Sequence, residues 1–213
     1  MPFLEKSALI LAGGSSKRLG EDKGLIKLGG KPLVTHVLDK IYGVVDEIIV
    51  VLSSQSQKKM YEDLMKKKAR VIIDKDKAQS PLVGALTGFE NAQGEYSLLL
   101  SCDTPFVSSQ IALLLLDLCL NKSAVIPRWP NGFIEPLQAA YHTESARIAA
   151  EKALENRKMD LQSMIVLLRG VRYISTMVLQ QIDPRLLTFF NINASIDLKK
   201  AESILKSTSK TSD

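Results

Sequence analysis

Leu9-Ile10-Leu11-Ala12-Gly13-Gly14-Ser15-Ser16-Lys17-Arg18-Leu19-Gly20-Glu21-Asp22-Lys23-Gly24-Leu25-Ile26-Lys27-Leu28-Gly29-Gly30 decides the reading of this chain. Its front end, residues 8–11, is apolar without interruption, the pattern of a parallel strand buried on both faces. The run breaks into Gly13, Gly14, Ser15 and Ser16. Small residues at a strand's carboxyl end let backbone N–H groups close on an anion, since no Cβ stands in the way. Lys17, Arg18 and Lys23 add positive charge to the same loop. Such a turn is suited to holding a polyphosphate.

Neither common phosphate motif is met. The spacing G-x-x-x-x-G-K-[ST] fails because Lys23 is followed by Gly24, and G-x-G-x-x-G is absent from this stretch. Outward from the loop, residues 33–42 read as a helix, with Val34, Val37, Leu38 and Ile41 at i, i+3, i+4, i+7. Pro32 stands where a first helical position tolerates proline. Strands are expected at 47–52, 71–73 and 96–100. Helices are expected from Ser53 or Ser54 to about Lys67, and from Pro81. The order β-α-β-α-β-α-β predicts a parallel sheet with helices on both faces.

The second half is less regular. A helix is expected at 108–121, a strand at 123–127, an Asn131-Gly132 turn, and a returning strand at 136–141. Helices at 143–156 and 160–169 follow, then a short strand at 171–175. Residues 189–193 read as a final short strand or loop before a helix from Ser195 to about Lys206. A polar tail, 207–213, is expected to be disordered. The 213 residues make one domain, residues 1–206, of α/β class: a Rossmann-like three-layer α/β/α domain with a mostly parallel, mixed sheet.

Composition narrows the function classes. Two cysteines and two histidines do not build a zinc site by themselves, and two cysteines do not make a disulfide framework, which fits a reducing cytoplasm. Residues 1–7 include Glu5 and lack a long apolar segment, so they do not read as a signal peptide. No apolar run approaches a membrane span. A net charge of +5 suits phosphate-bearing substrates but is too diffuse to imply nucleic acid.

Ligands of open α/β sheets bind beyond the carboxyl ends of the strands, where the Gly13-Gly14 loop, Asp74 and Asp103 converge. Asp103 follows the apolar run Leu98-Leu99-Leu100, at the rim of a buried sheet. A carboxylate at that rim needs a partner, either a lysine or a divalent cation; a helix cap is the structural alternative. Cys102 has no supporting histidine and packs as a small apolar group. His36, one turn into its helix, reads as structural. Arg128 and Trp129 read as an exposed turn.

L-A-G-G-x-S-x-R-[LM]-G-x-D-K-x-L at 11–25, followed by L-x-G-x-P-L at 28–33, resembles the signature of nucleotidyltransferases with the nucleotide-diphospho-sugar transferase fold. Asp22-Lys23 and Pro32-Leu33-x-x-His36-Val37 most resemble the molybdenum cofactor guanylyltransferases. Cys102-Asp103-Thr104-Pro105-Phe106 matches that family's C-D-x-P-[FY] element, Asn191-Ile192-Asn193 its N-x-N element, and 135–141 its acceptor-side strand. In this sequence Glu135 stands where the family often has histidine, and Ala194-Ser195 replaces a Thr-Pro helix cap.

The resemblance implies transfer of GMP from GTP to the terminal phosphate of molybdopterin, or of the molybdenum cofactor, with release of pyrophosphate. It implies catalytic roles for Arg18, Lys23, Asp103, Asn191 and Asn193. Leu11, Ala12, Gly13, Gly14, Lys23, Asp74 and Asp103 would bind nucleotide, with Asp74 directed at the guanine or ribose. Asp103 would ligate Mg2+, a cation that needs few protein oxygens. Asn191 and Asn193, alternating along an extended segment, would face one side. The expected partners are GTP, the molybdopterin acceptor and other enzymes of molybdenum cofactor biosynthesis, with no nucleic acid and no membrane. Two alternatives stay open at this level. One is a nucleotidyltransferase of the same fold with another acceptor (a sugar phosphate or cobinamide phosphate) or another base; the other is a non-catalytic nucleotide-binding module.

Overall fold

The computed structural model describes residues 5–12, 22–74 and 80–209. In chain order it contains strand β1 (Lys6–Leu11), a 3-10 turn (Lys23–Leu25), the short strands β2 (Lys27–Leu28) and β3 (Lys31–Pro32), and helix α1 (Leu33–Ile41). Then come β4 (Glu47–Leu52), α2 (Lys58–Met65), β5 (Arg70–Ile73), α3 (Pro81–Asn91), β6 (Tyr96–Ser101) and α4 (Ser109–Leu118). The remainder is β7 (Ala124–Arg128), β8 (Gln138–His142), α5 (Thr143–Glu155), α6 (Leu161–Leu167), β9 (Val171–Ser175), α7 (Thr176–Leu179) and α8 (Ser195–Ser209).

Among the described residues, one seven-stranded sheet has the order β5-β4-β1-β6-β8-β7-β9. The first four are parallel neighbours, as the alternating pattern requires. β8 enters antiparallel between β6 and β7, and β9 closes the far edge parallel to β7. The strands alternate between two apolar layers. Ala8 and Ile10 face α1, α2 and α4, whereas Leu9 faces α3 and α5. Burial on both faces is why these strands read as continuous apolar runs.

Capping follows the sequence closely. Ser80 Oγ accepts from Val83 N at 3.2 Å and Asp160 Oδ1 accepts from Ser163 N at 2.9 Å, each satisfying a free N–H of its helix. The missing Thr-Pro cap of α8 is replaced by Asp197, whose Oδ2 accepts from Asn193 N at 3.1 Å and Ala194 N at 3.0 Å. That reach-back from the helix's first turn is half of a capping box. α8 runs to Ser209, beyond the expected end at Lys206, so part of the expected tail is helical.

Three local features refine the expected outline. Pro32 is the residue before α1 and pairs with Lys27 across the β2–β3 hairpin, whose two-residue turn uses Gly29 (φ 57°) and Gly30 (φ 82°). Positive φ at both positions is what a two-residue hairpin turn of the mirror-image type demands. The segment 189–193, expected as a short strand or loop, is the loop: a 3-10 turn (Leu187–Phe189) leads into an extension anchored by Ile192 N donating to Asp103 O at 3.0 Å. The short helix α7 carried too few periodic positions to be read from sequence.

A third, small apolar cluster positions the site. Ile192 is fully buried with Ile26, Leu28, Leu33 and Ala201, so the 189–193 segment, the β2–β3 hairpin and α8 share one contact. The residues next to that contact, Lys23 on one side and Asn193 on the other, are thereby brought to the end of β6.

Candidate functional site

A cavity of about 380 Å³ opens at the carboxyl ends of β1, β4, β5 and β6, lined by Leu11, Leu52, Asp74, Gly84, Ser101 and Asp103 among others. Its position is the one the strand order favours for a ligand: α1 and α3 leave the sheet on opposite faces, opening a crevice between their starts.

Lys23 also lines this cavity. Its ammonium forms an ion pair with Asp103 Oδ2 and donates to Asn193 Oδ1 at 2.6 Å. The three residues come from a turn, a strand end and the segment before α8. Asp103 is 5% exposed, so the partner that sequence reasoning required is present and is the lysine. Its other oxygen, Oδ1, is buried with no hydrogen-bond partner among the described residues. An orphaned carboxylate oxygen costs free energy unless a donor or cation meets it. This donor set of one carboxylate oxygen beside an amide oxygen fits a hard divalent cation, which takes oxygen ligands and retains waters and phosphate oxygens. Among the described residues no three His, Cys, Asp or Glu side chains gather into a metal centre of their own.

Asp74 follows β5 at the cavity wall, and its Oδ1 accepts from Thr87 Oγ1 at 2.9 Å. Thr87 is buried on α3, so the carboxylate is held by a rigid element. Gly84, one turn earlier on α3, leaves room there: a Cβ would lie 3.5 Å from Leu11 Cδ2 and 3.8 Å from Asp74 Oδ2.

The two asparagines part company. Asn193 meets Lys23, whereas Asn191 Nδ2 donates to Phe189 O at 3.3 Å and lines a neighbouring cavity. That second cavity, also about 380 Å³, is bounded by Glu135, Gln138, Asp160 and Gln162 and shares Pro81 and Leu137 with the first. Gln138 is buried, its Nε2 within 3.4 Å of Thr104 Oγ1. Burial raises the Glu135 carboxyl above its ordinary range against the opposing effect of Trp129 Nε1, which donates to it at 2.6 Å. Trp129 is therefore no loose tip, since its ring also packs edge-on to Phe189 at 5.7 Å. Arg128 is exposed and lies over the Tyr173 ring. His36 Nε2 bonds to Leu28 O at 2.9 Å, a structural contact across the hairpin. Cys102 is buried and free, and burial pushes its thiol far above the usual range.

Of the expected site residues, Leu11, Ala12, Lys23, Asp74, Asp103, Asn191 and Asn193 are described, and Ala12 is buried at the end of β1. Gly13, Gly14, Lys17 and Arg18 lie outside the described residues. Sequence reasoning gave no role to Asp22 and did not single out Tyr61. Asp22 Oδ1 accepts from Gly24 N at 3.0 Å and from Tyr61 Oη at 2.8 Å, directly behind Lys23. An Asp two positions before a Gly is a recognisable cap for the turn. Nothing local announces a tyrosine 39 residues later as its partner.

Known proteins extend these observations. The sequence model of the MobA-like NTP transferase domain matches residues 8–169. A molybdenum cofactor guanylyltransferase of Desulfosudis oleivorans is 30% identical over 202 residues, covering 94% of this chain and 96% of that one. A protein named "Probable molybdenum cofactor guanylyltransferase" of Methanosarcina mazei is 32% identical over 199 residues, 91% of this chain and 88% of that one. Among solved structures, molybdopterin-guanine dinucleotide biosynthesis protein A from Archaeoglobus fulgidus superposes with a TM-score of 0.81 at 27% identity, covering 94% and 99% of the two chains. A 4-diphosphocytidyl-2C-methyl-D-erythritol synthase from Anaerococcus prevotii, at 18% identity and a TM-score of 0.73 over 95% and 96% of the chains, shares the fold alone. That fold is the nucleotide-diphospho-sugar transferase fold.

Proposed function

The chain belongs to the MobA-like NTP transferase family, a family of nucleotidyltransferases, and from that premise we propose that it transfers GMP from GTP to the terminal phosphate of molybdopterin. A phosphate oxygen of the acceptor attacks the α-phosphorus, a new P–O bond forms, the α–β bridge breaks, and the electron pair leaves with pyrophosphate. The acceptor is already an oxyanion at neutral pH, so no general base is required. Catalysis reduces to in-line positioning and charge neutralisation.

The observation that carries this reading is the Lys23 ammonium held between Asp103 and Asn193 at the mouth of the nucleotide-sized cavity. A compact cation on a positioned turn suits a polyphosphate. Leu11, Ala12, Gly13, Gly14 and Arg18 would complete the phosphate cradle at the end of β1, and Asp74, braced by Thr87, would meet the guanosine. Asn191 and Gln138 line the adjoining cavity, where the acceptor would sit. Asp103 would hold Mg2+ through the oxygen that lacks a hydrogen bond, with Asn193 as the neighbouring amide oxygen. Bound there, Mg2+ supplies charge stabilisation for the departing pyrophosphate.

The test is pyrophosphate release measured with GTP, ATP, CTP and UTP, each against molybdopterin and against sugar phosphates. Release with GTP and molybdopterin alone is expected. Release driven by a sugar phosphate moves the acceptor assignment to another member of the fold, and equal use of all four nucleotides overturns the base. GTP should also raise the melting temperature more than the other three, because it binds only the native state.

A further inference from the structure

Lys23 rides on the 3-10 turn Lys23–Leu25, and the geometry behind that turn is more elaborate than a cap requires. Asp22 Oδ1 accepts two hydrogen bonds, from Gly24 N at 3.0 Å and Tyr61 Oη at 2.8 Å. Tyr61 projects from α2 and is fully buried. Its hydroxyl lies so close beneath the turn that a Cβ at residue 24 would stand 2.3 Å from it. Glycine at 24 is therefore the condition for the phenol to reach Asp22.

The arrangement is costly. Burial raises the Asp22 carboxyl above its ordinary value, against the lowering effect of hydrogen bonding from Tyr61 first, then from the Gly24 backbone, Gln57 and the Leu25 backbone. Asp22 Oδ2 is buried with no hydrogen-bond partner among the described residues. A turn needing only a cap would be served by an exposed Ser or Asn, with no buried phenol and no half-buried carboxylate. A partly buried polar pair of this kind fixes one conformation at the expense of stability. What it fixes is the residue between Asp22 and Gly24, Lys23, whose ammonium must span to Asp103 and Asn193.

We infer that Asp22 and Tyr61 are positioning residues for Lys23, holding the turn so that the ammonium is aimed at the phosphates rather than free to follow its flexible stem. The inference rests on the reading of Lys23 as the phosphate cation of the proposed transfer. The pair acts through an oxygen that accepts two hydrogen bonds, so an amide at 22 serves and an alkyl group does not.

Five variants of the full chain test this: Tyr61→Phe, Asp22→Ala, Asp22→Asn, Lys23→Ala, and Lys23→Ala with Tyr61→Phe. Each is assayed for kcat and KM in GMP transfer, for affinity toward Mg2+-GTP by calorimetry, and for its melting temperature. Tyr61→Phe and Asp22→Ala should each lower kcat/KM by about tenfold or more, the scale of a small misplacement of a catalytic cation. Asp22→Asn should recover most of what Asp22→Ala loses. In the Lys23→Ala background, Tyr61→Phe should change turnover and nucleotide affinity by less than about twofold, because the group it positions is gone. Its effect on melting should persist in that background. The same fold-loss from Tyr61→Phe with and without Lys23 would overturn the inference and leave a structural contact only, as would wild-type kinetics for Tyr61→Phe. If the wild type binds Mg2+-GTP but transfers no GMP to molybdopterin, the acceptor reading fails. The coupling of Tyr61 to Lys23 is then decided on nucleotide affinity. If no Mg2+-GTP is bound, the phosphate-cation reading of Lys23 and this inference fall together.

Discussion

Replacing Lys23 by Met keeps the bulk of the side chain and removes its charge, which isolates what the ammonium does for Asp103. The side chains of the pair are 19% and 7% exposed, so Asp103 would be left nearly dry, its Oδ2 without the ammonium and its Oδ1 still without a hydrogen bond among the described residues. Breaking a buried ion pair from one side costs about 3–5 kcal/mol. Lys23 is the wetter partner and faces a cavity, so the low end, about 3 kcal/mol, is the working figure. For a chain of this length each kcal/mol moves the melting temperature by about 2–4 °C, giving a fall of about 6–12 °C. Removing the stranded charge as well, in Lys23→Met with Asp103→Asn, should recover most of that loss. Mg2+ supplies the complementary arm. In Lys23→Met the carboxylate is open to a dication, and at a hundredfold excess over its dissociation constant the ion restores about 2.7 kcal/mol. The assay is a thermal melt of wild type, single and double variants across a Mg2+ titration, with Ca2+ and Na+ as controls. A single variant melting within about 2 °C of wild type would refute the buried-pair reasoning. Equal Mg2+ stabilisation of the single and double variants would place the cation somewhere other than Asp103.

Three further outcomes follow from the same geometry. Asp103→Asn should lower turnover by about two orders of magnitude, the scale of one strong electrostatic contact in the transition state, while metal-free GTP binding changes little; normal Mg2+-dependent turnover would falsify the ligand role. Gly84→Ala should be tolerated, since its Cβ finds ordinary contact distances, but the branched side chain of Gly84→Val must project into the cavity and weaken GTP binding by about tenfold or more, measured by calorimetry. Asp22→Asn should gain stability over wild type as pH rises. Burial raises the Asp22 carboxyl above 3.8, so the native state holds its proton longer than the unfolded chain. The charge penalty is absent below pH 3.8 and complete once pH exceeds the raised value, and the difference in melting temperature should grow across that window. A difference that shrinks with rising pH would contradict the burial argument.

Much of this protein is written locally. The run at 8–11, the loop after it and the alternation through residue 101 determine a parallel half-sheet, because burial on both faces demands continuous apolar strands. Ser80, Ser108 and Asp160 mark helix starts for an equally local reason, a side-chain oxygen beside free N–H groups. Asp103 was legible as a charge needing a partner, since an acid after five residues of buried strand and rim is costly alone. Which partner it takes was not legible. Lys23 lies 80 residues before it, and Asn193 lies 170 residues beyond Lys23. They meet because Ile192 buries itself against Ile26, Leu28 and Leu33, a contact no spacing along the chain encodes. The separation of Asn191 from Asn193, the antiparallel entry of β8 and the tyrosine beneath Lys23 belong to the same category. Periodicity and caps are properties of neighbouring residues and survive in the sequence. The convergence of charges is a property of which apolar faces pack together, and only the tertiary structure decides it.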